Sequence, residues 1–355
     1  MTLSAGTRVE VHLPEDAFSS DVPLVAVMRG DYVGSLHRGI FAVCDDEGHL
    51  SACAGDASQY VFLRSAAKPF QVMPAVLAGA IERFGLTGEE TAVLCASHNA
   101  EPKHRDAVLS ALKKAGLDET ALRCGAHPPL HEASAADLVR RGEAPTPVCN
   151  NCSGAHAGML LACVARGWPL EGYGEPSHPL QQQTLEILAR FAGVRPDDVQ
   201  LATDNCAVPA FRLPVAGAAL AFGRLVTGSK VGDDLREAAA VVCGAMTSWP
   251  YMVAGEGRFD TDLMTVAGTE IVSKGGAEGF QGIGIRNLGL GFALKISDGN
   301  ARASHPATVE VLRALGALSD EQLSRLREYA RPEVRNPSGD LVGTIKPVFT
   351  VGASS

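Results

Sequence analysis

Two serine–lysine combinations in this sequence carry the residue types that acyl transfer needs. The first is Ser65-Ala-Ala-Lys68, directly before an apolar stretch with helical spacing. Residues three apart share a helix face, about 5–6 Å apart at Cβ, so the Lys68 amine can reach the Ser65 hydroxyl. A serine hydroxyl attacks a carbonyl only when a neighbour takes its proton. Lysine does this only as the neutral amine, a state favoured by burial or by a second cation. Ala66, Ala67, Pro69 and Phe70 supply an apolar setting for it. The competing reading is a solvated lysine near a helix start. Further on come Ser97-His98-Asn99 and Lys274-Gly275-Gly276. They offer a second serine, a second lysine and a glycine-rich strand edge that a substrate backbone can approach.

A cysteine-rich stretch is the other chemical feature. Cys149-Asn-Asn-Cys152-Ser-Gly-Ala-His156 is followed later by Asp204-Asn-Cys206. Cys149-x-x-Cys152 could open a zinc site, but no second C-x-x-C follows. A Cys152, His156, Cys206 set is chemically possible; the alternative is buried thiols acting as small apolar groups. A thioredoxin-like redox pair lacks its surrounding βαβ pattern. The three Ser/Lys motifs stand in the S-x-x-K, S-D-N, K-T-G order of penicillin-binding proteins and class A β-lactamases, inexactly at His98 and Gly275.

The elements that must position these groups are legible in outline. The first 65 residues read as strands, with a hairpin made of Gly39 to Cys44, turn residues Asp45 to Gly48, and a second run from His49. From Pro69 the spacing of Met73, Val76, Leu77, Ala80, Ile81 and Phe84 predicts one amphipathic helix ending at Gly85. Thr87-Gly-Glu-Glu90 fits a capping box, and an apolar run from Ala92 to Ala96 leads into Ser97. Helices are expected over Pro102 to Ala115, Pro179 to Ala192 and Asp233 to Trp249. Strands return at Thr269 to Val272, Phe280 to Ile285 and Gly291 to Ile296. Helices then start near Ser304 and Asp320, and a last apolar stretch spans Leu341 to Val351. Strands at both ends around a helical middle imply an α/β (α+β) fold. Its mixed sheet is built from both termini, with a helical subdomain inserted. The expected organisation is one domain over 1–355, with the sheet part at about 20–100 and 268–355 and the helical part at about 101–267.

Composition narrows the function classes. The 355 residues include 31 Lys+Arg against 40 Asp+Glu, a formal charge of −9, and no long basic run, which argues against a nucleic-acid partner. No apolar run approaches the ~18 residues of a membrane span. The start, MTLSAGTRVEVHLPED, lacks the basic-then-apolar pattern of a secretory signal, so a cytoplasmic location is expected. Nine scattered cysteines, an odd number, fit reduced thiols better than a disulfide framework.

At this point the chain resembles the L-asparaginase II family typified by the inducible rhizobial enzyme, the class 3 asparaginases. The matching stretches include His37-Arg38-Gly39, Arg64-Ser-Ala-Ala-Lys-Pro69, Cys95-Ala-Ser-His98 with Glu101 and His104, and Cys124-Gly-Ala-His-Pro128. They continue through Asn150-Asn-Cys-Ser-Gly154, Thr203-Asp204 with Cys206, Val253-Ala-Gly-Glu-Gly-Arg258, Val272 with Lys274, and Leu294-Lys295-Ile296. The resemblance runs from about residue 20 to the C-terminus. It implies hydrolysis of L-asparagine to L-aspartate and ammonia, a serine β-lactamase/glutaminase-like fold, and a homodimer. It also implies two Ser-Lys pairs, mapping to Ser65 with Lys68 and Ser97 with Lys274. Ser65 would attack the side-chain amide while Lys68 takes its proton; which serine carries the acyl group stays open.

A small zwitterionic substrate needs a fixed cation and a fixed anion. Arg64 is a candidate for the α-carboxylate and Asp204 for the α-amino group, with a structural ion pair as the alternative for each. His156 either lines the pocket or is a satisfied buried imidazole. The resemblance further implies a zinc ion held by two cysteines, here Cys152 and Cys206, and by a lysine where this chain has Ala155. Alanine offers no ligand, so the zinc is absent, weaker, or completed by water or His156; the Ser-Lys chemistry itself requires no cofactor. The alternatives are a glutaminase or other small-amide amidohydrolase, one methylene being worth only ~1–3 kcal/mol of discrimination. A non-catalytic amino-acid- or zinc-binding relative is the reading from another class.

Overall fold

The computed structural model describes residues 14 and 17–352, so the rest of the opening segment lies outside the described residues. Eight strands form one sheet: β1 (Val22–Arg29), β2 (Tyr32–Asp45), β3 (Leu50–Ala54), β7 (Ile271–Gly276), β8 (Phe280–Ile285), β9 (Leu290–Ile296), β10 (Glu333–Arg335) and β11 (Leu341–Pro347). Their order is β10-β11-β1-β2-β9-β8-β7, with β3 pairing the second half of β2. The sheet is therefore built from both ends of the chain. Every ladder is antiparallel rather than mixed. The short links β1–β2, β2–β3, β7–β8 and β8–β9 explain this, because a parallel neighbour needs a crossover of a dozen residues or more.

The β2–β3 hairpin forms where turn residues were expected. One Asp45 carboxylate oxygen accepts the N–H groups of Glu47, Gly48 and His49 at 3.0, 2.8 and 2.8 Å, which organises the turn. Along β2 the side chains alternate between two cores: Ile40, Ala42 and Cys44 enter one, Phe41 and Val43 the other. Both sheet faces are covered, which is why this strand reads as a continuous apolar run. On the second face lies the helix Ala301–Ala314, capped by Asn300 and packed on β1, β9 and β11. On the first lies the almost wholly buried helix Val215–Thr227. Its approach is close: a β-carbon on Gly282 would sit 2.0 Å from the Phe222 ring, and one on Gly291 would sit 1.9 Å from the Ala219 carbonyl oxygen. Glycine at those two sheet positions lets the helix lie against the strands.

Between β3 and β7 the chain forms the helical body, which includes Pro102–Lys114, Ser153–Arg166, Pro179–Ala192 and Asp233–Ser248. This middle also holds a small sheet ordered β4-β6-β5, from β4 (Tyr60–Phe62), β5 (Gln200–Thr203) and β6 (Pro209–Pro214). The single helix expected from Pro69 to Phe84 is instead three short pieces, Lys68–Gln71, Met73–Leu77 and Ala80–Arg83. Pro74 has no N–H to continue the ladder, and Gly79 adopts φ +66°, so the apolar spacing survives while the helix does not. The capping box at Thr87 and Glu90 forms as expected. The strand expected at Thr269 to Val272 begins at Ile271 and runs on to Gly276, which places Lys274, Gly275 and Gly276 inside the sheet's edge strand. Among the described residues no helix is long and apolar enough to cross a membrane.

Candidate active site

Ser65 is presented by an abrupt turn. Leaving β4, Leu63 donates its N–H to Phe211 O at 3.0 Å, and Arg64 then takes a left-handed φ of +50°. A non-glycine residue held there is strained, and such strain concentrates at sites where geometry is imposed. A 3-10 turn, Arg64–Ala67, carries Ser65 and flows into the helix that begins at Lys68. Ser65 is half-buried, whereas Lys68 is only 3% exposed. Lys68 Nζ lies within hydrogen-bond reach of Ala96 O at 2.7 Å, Ser97 Oγ at 2.8 Å and Cys152 Sγ at 3.2 Å. The structure thus joins Lys68 to the second serine, not to its own sequence neighbour Ser65.

Ser97 is clipped to a distant loop. Its N–H donates to Val253 O at 2.9 Å, and the Asn99 N–H donates to Ala254 O at 2.8 Å. Ala100, again left-handed at φ +58°, donates its N–H to His98 Nδ1 at 3.0 Å. Nδ1 is therefore the acceptor, and Nε2 carries the proton that it gives to Ser153 Oγ at 2.9 Å. Complete burial holds the His98 pKa well below the ordinary imidazole value. His98 is a neutral brace for the serine loop.

Lys274 lies on β7 at 1% exposure, donates to Gly275 O at 2.8 Å and stands 3.8 Å from Asp260 Oδ2. Burial pushes its pKa down to about 8, against the attraction of Asp260 and with repulsion from Lys68 and Arg258 adding to the drop. Asp260 is fully engaged by Ser273 Oγ at 2.6 Å, Gln281 Nε2 at 2.9 Å and the Gly275 N–H at 2.8 Å. Its carboxyl stays below the usual range: burial works the other way, and Lys274 with these donors outweighs it. The expected Ser97–Lys274 pair is replaced by Ser97 with Lys68 and Lys274 with Asp260. Asp260 carries no short-motif signal and was not among the residues the sequence singled out.

Arg64 and Asp204, expected at opposite ends of a zwitterion, are paired with each other. Arg64 donates from Nε to Asp204 Oδ2 at 2.9 Å and from Nη2 to Asp204 Oδ1 at 3.0 Å, a bidentate fork. Nη1 donates to Glu278 at 2.8 Å and Nη2 also to Asn205 at 3.1 Å. The matched geometry of guanidinium and carboxylate selects this partner. His156, 1% exposed, accepts at Nδ1 from the Tyr173 hydroxyl at 2.6 Å, while Nε2 has no hydrogen-bond partner. Burial first, then the Lys68 charge, lowers its pKa to about 3, so it is a buried, neutral imidazole outside the cavity wall with one nitrogen unpaired.

Cys152 and Cys206 adjoin. The hydrogen bond from Cys206 and the charge of Lys68 depress the Cys152 pKa, while the same bond and burial raise that of Cys206. The zinc donor set stops at these two sulfurs, because Ala155 brings no ligand and Lys68 Nζ, although 3.2 Å from Cys152 Sγ, is shared with Ala96 O and Ser97 Oγ. Among the described residues, the group of acidic, histidine or cysteine side chains whose ligand atoms converge within 4.8 Å is Glu101, His131 and Glu256. It contains neither cysteine nor His156. The residues present therefore do not fit the zinc that the resemblance implied. All nine cysteines are free thiols, Cys149 among them.

A cavity of about 320 Å³ opens onto these groups, with Ser65, Ser97, Arg258, Asp260, Glu278 and His305 in its walls. Both serines line it. Arg64, Asp204, His156, Lys68 and Lys274 do not. Such an arrangement can place a small amide against two hydroxyls backed by buried amines. Arg258 and Glu278 are wall residues that the sequence reading did not single out, although Arg258 closes the matching stretch Val253–Arg258.

The model of the L-asparaginase II family matches residues 25–347, and the chain belongs to that family. Solved structures with similarity include Mglu in its glutamate form, 18% identical, covering 79% of this chain and 61% of that one with a TM-score of 0.44. A β-lactamase from Mycobacterium bovis is 13% identical, with 82% and 95% covered and a TM-score of 0.39. A Bacteroides dorei protein described as a putative β-lactamase is 13% identical, with 78% and 93% covered and a TM-score of 0.38. The chain spans about three-fifths of the length of Mglu. No curated protein matches it.

Proposed function

We propose that this protein hydrolyses the side-chain amide of L-asparagine to L-aspartate and ammonia through an acyl-enzyme on Ser65. The observation that carries the reading is that Ser65 and Ser97 open onto one cavity while Lys68, buried behind them, is hydrogen-bonded to Ser97 at 2.8 Å. Ser65 is the nucleophile in this scheme because it stands on the strained Arg64 turn and is the more open of the two serines. Its Oγ bonds to the amide carbon, and its proton passes to the Lys68 amine. Ser97, sharing that amine, hands a proton to the departing nitrogen as the C–N bond breaks, releasing ammonia. Water then adds to the ester and gives a proton back through the same pair, which frees Ser65 and aspartate. Lys274, with its pKa near 8, supplies a neutral amine at mildly alkaline pH to accept a proton in these transfers.

The test is ammonia release from L-asparagine by purified protein, with L-glutamine and Ser65→Ala as controls. Release from asparagine that Ser65→Ala abolishes is the expected result. Undiminished release by Ser65→Ala would remove Ser65 from the role, and release from glutamine alone would move the substrate by one methylene.

A further inference from the structure

An amino-acid substrate brings an α-carboxylate into the cavity beside the serines, and Arg64 is not placed to meet it. Both edges of its guanidinium are taken by Asp204, Glu278 and Asn205, and it is absent from the cavity wall. Among the described residues Arg258 is the one arginine or lysine that lines the cavity. It is half-buried, donates from Nη1 to Asn99 Oδ1 at 2.7 Å, and takes part in no ion pair among the described residues. Guanidinium carries five N–H donors, so its Nε–Nη2 edge remains for a second, bidentate partner. The acids nearby do not fill that role. Asp260 is engaged by Ser273, Gln281 and Gly275, and the Glu278 oxygen Oε1 accepts from Arg64.

The guanidinium is also held at a set place relative to the hydroxyls. Arg258 is the N-cap residue of the helix Phe259–Ala267, its carbonyl accepting the Asp262 N–H at 3.0 Å. The loop before it is tied to the serine loop by Ser97 N–H to Val253 O and Asn99 N–H to Ala254 O. The Asn99 side chain completes the link: its Nδ2 donates to Glu256 O at 3.1 Å while its Oδ1 receives Arg258. One residue, two positions after Ser97, thereby sets both the loop and the charge.

We propose that Arg258 receives the α-carboxylate of the amino-acid substrate through its Nε–Nη2 edge and so fixes how far the side-chain amide reaches toward Ser65 and Ser97. This rests on the amidohydrolase reading above, and two measurements separate the fates of the two ideas. The first is calorimetric binding of L-aspartate and of β-alanine, which is aspartate without its α-carboxylate, to the parent protein, Arg258→Met and Arg258→Lys. Each charge-assisted hydrogen bond of that edge is worth roughly 10- to 150-fold, so losing the pair weakens aspartate binding by at least that factor in Arg258→Met, with Arg258→Lys in between and β-alanine unaffected. The second is ammonia release from L-asparagine and from 3-aminopropanamide, which is asparagine without its α-carboxylate. Arg258→Met should raise KM and lower kcat/KM for asparagine while leaving the truncated amide as slow as with the parent.

Equal losses on both members of either pair, no loss on aspartate, or no aspartate binding by the parent would overturn the assignment. Arg258-dependent aspartate binding without ammonia release from asparagine would instead sink the amidohydrolase reading and leave Arg258 in place. Thermal unfolding of each variant shows that a folded protein is being compared.

Discussion

At Gly276 an added β-carbon would lie 2.2 Å from the Leu63 carbonyl oxygen and 3.2 Å from Phe280 Cβ. The first neighbour is backbone and cannot rotate away. That same carbonyl accepts the Ala66 N–H at 3.0 Å, the bond that closes the turn around Ser65. In Gly276→Ala either β7 or the 63–66 segment must therefore give way by about 1 Å, a displacement that costs a reaction on the order of 100-fold when it falls on the attacking group. Overpacking of this kind costs about 1–3 kcal/mol of stability, which a domain stable by roughly 5–15 kcal/mol survives. The assay is kcat/KM for ammonia release together with the thermal unfolding midpoint. A folded protein with a loss near 100-fold is the expected result. The matched control is Gly244→Ala, on an exposed face of the helix Asp233–Ser248 with nothing within 4 Å of the added carbon. It should keep full activity and gain about 0.5–1 kcal/mol. Full activity in Gly276→Ala would refute the idea that this close contact sets the position of Ser65.

Two further outcomes follow from the charges and donors at the site. If Lys274 acts as a neutral amine, kcat/KM rises with pH through an apparent pKa near 8. Asp260 is the group holding that pKa up, so Asp260→Asn should move the limb to lower pH; a limb that stays put or moves up contradicts the role. The stability term has its own sign. The folded pKa lies below the ordinary 10.5, so between about 8 and 10.5 the unfolded chain binds more protons, and this group adds stability as pH rises through that window. At Ala155, one turn after Cys152 on the helix Ser153–Arg166, a lysine would add the donor that the two sulfurs lack. Ala155→Lys should therefore retain zinc through dialysis by elemental analysis where the parent loses it. Equal zinc in both would show that position 155 does not decide the matter.

The local signals that proved readable are those whose partners lie close in the chain. The Asp45 turn, the Thr87–Glu90 capping box and the helix Pro102–Lys114 each depend on residues a few positions apart. The stretch from Pro69 to Phe84 shows the limit of periodicity. Its apolar residues do face one core, but Pro74 and Gly79 interrupt the backbone hydrogen bonds without altering the pattern of side chains. The helix Val215–Thr227 is apolar nearly all round, so no amphipathic stripe marks it, and only its burial between sheet and helical body accounts for it.

For the site, the residue types and their order along the chain were set by the sequence: two serines, two lysines, an Arg/Asp combination and a cysteine pair missing its third donor. What only the tertiary structure decided is which of these meet. Lys68 binds Ser97 across 29 positions of chain rather than Ser65 across three, and Arg64 closes on Asp204 across 140. Lys274 turns to Asp260, and Arg258 reaches the cavity in place of Arg64. For Lys68 and Arg64 the physical reason is the same. A buried charge takes whichever partner offers the best-aligned hydrogen bonds once water is excluded. The candidates are supplied by the crossing of separate chain segments, which spacing along one segment does not encode.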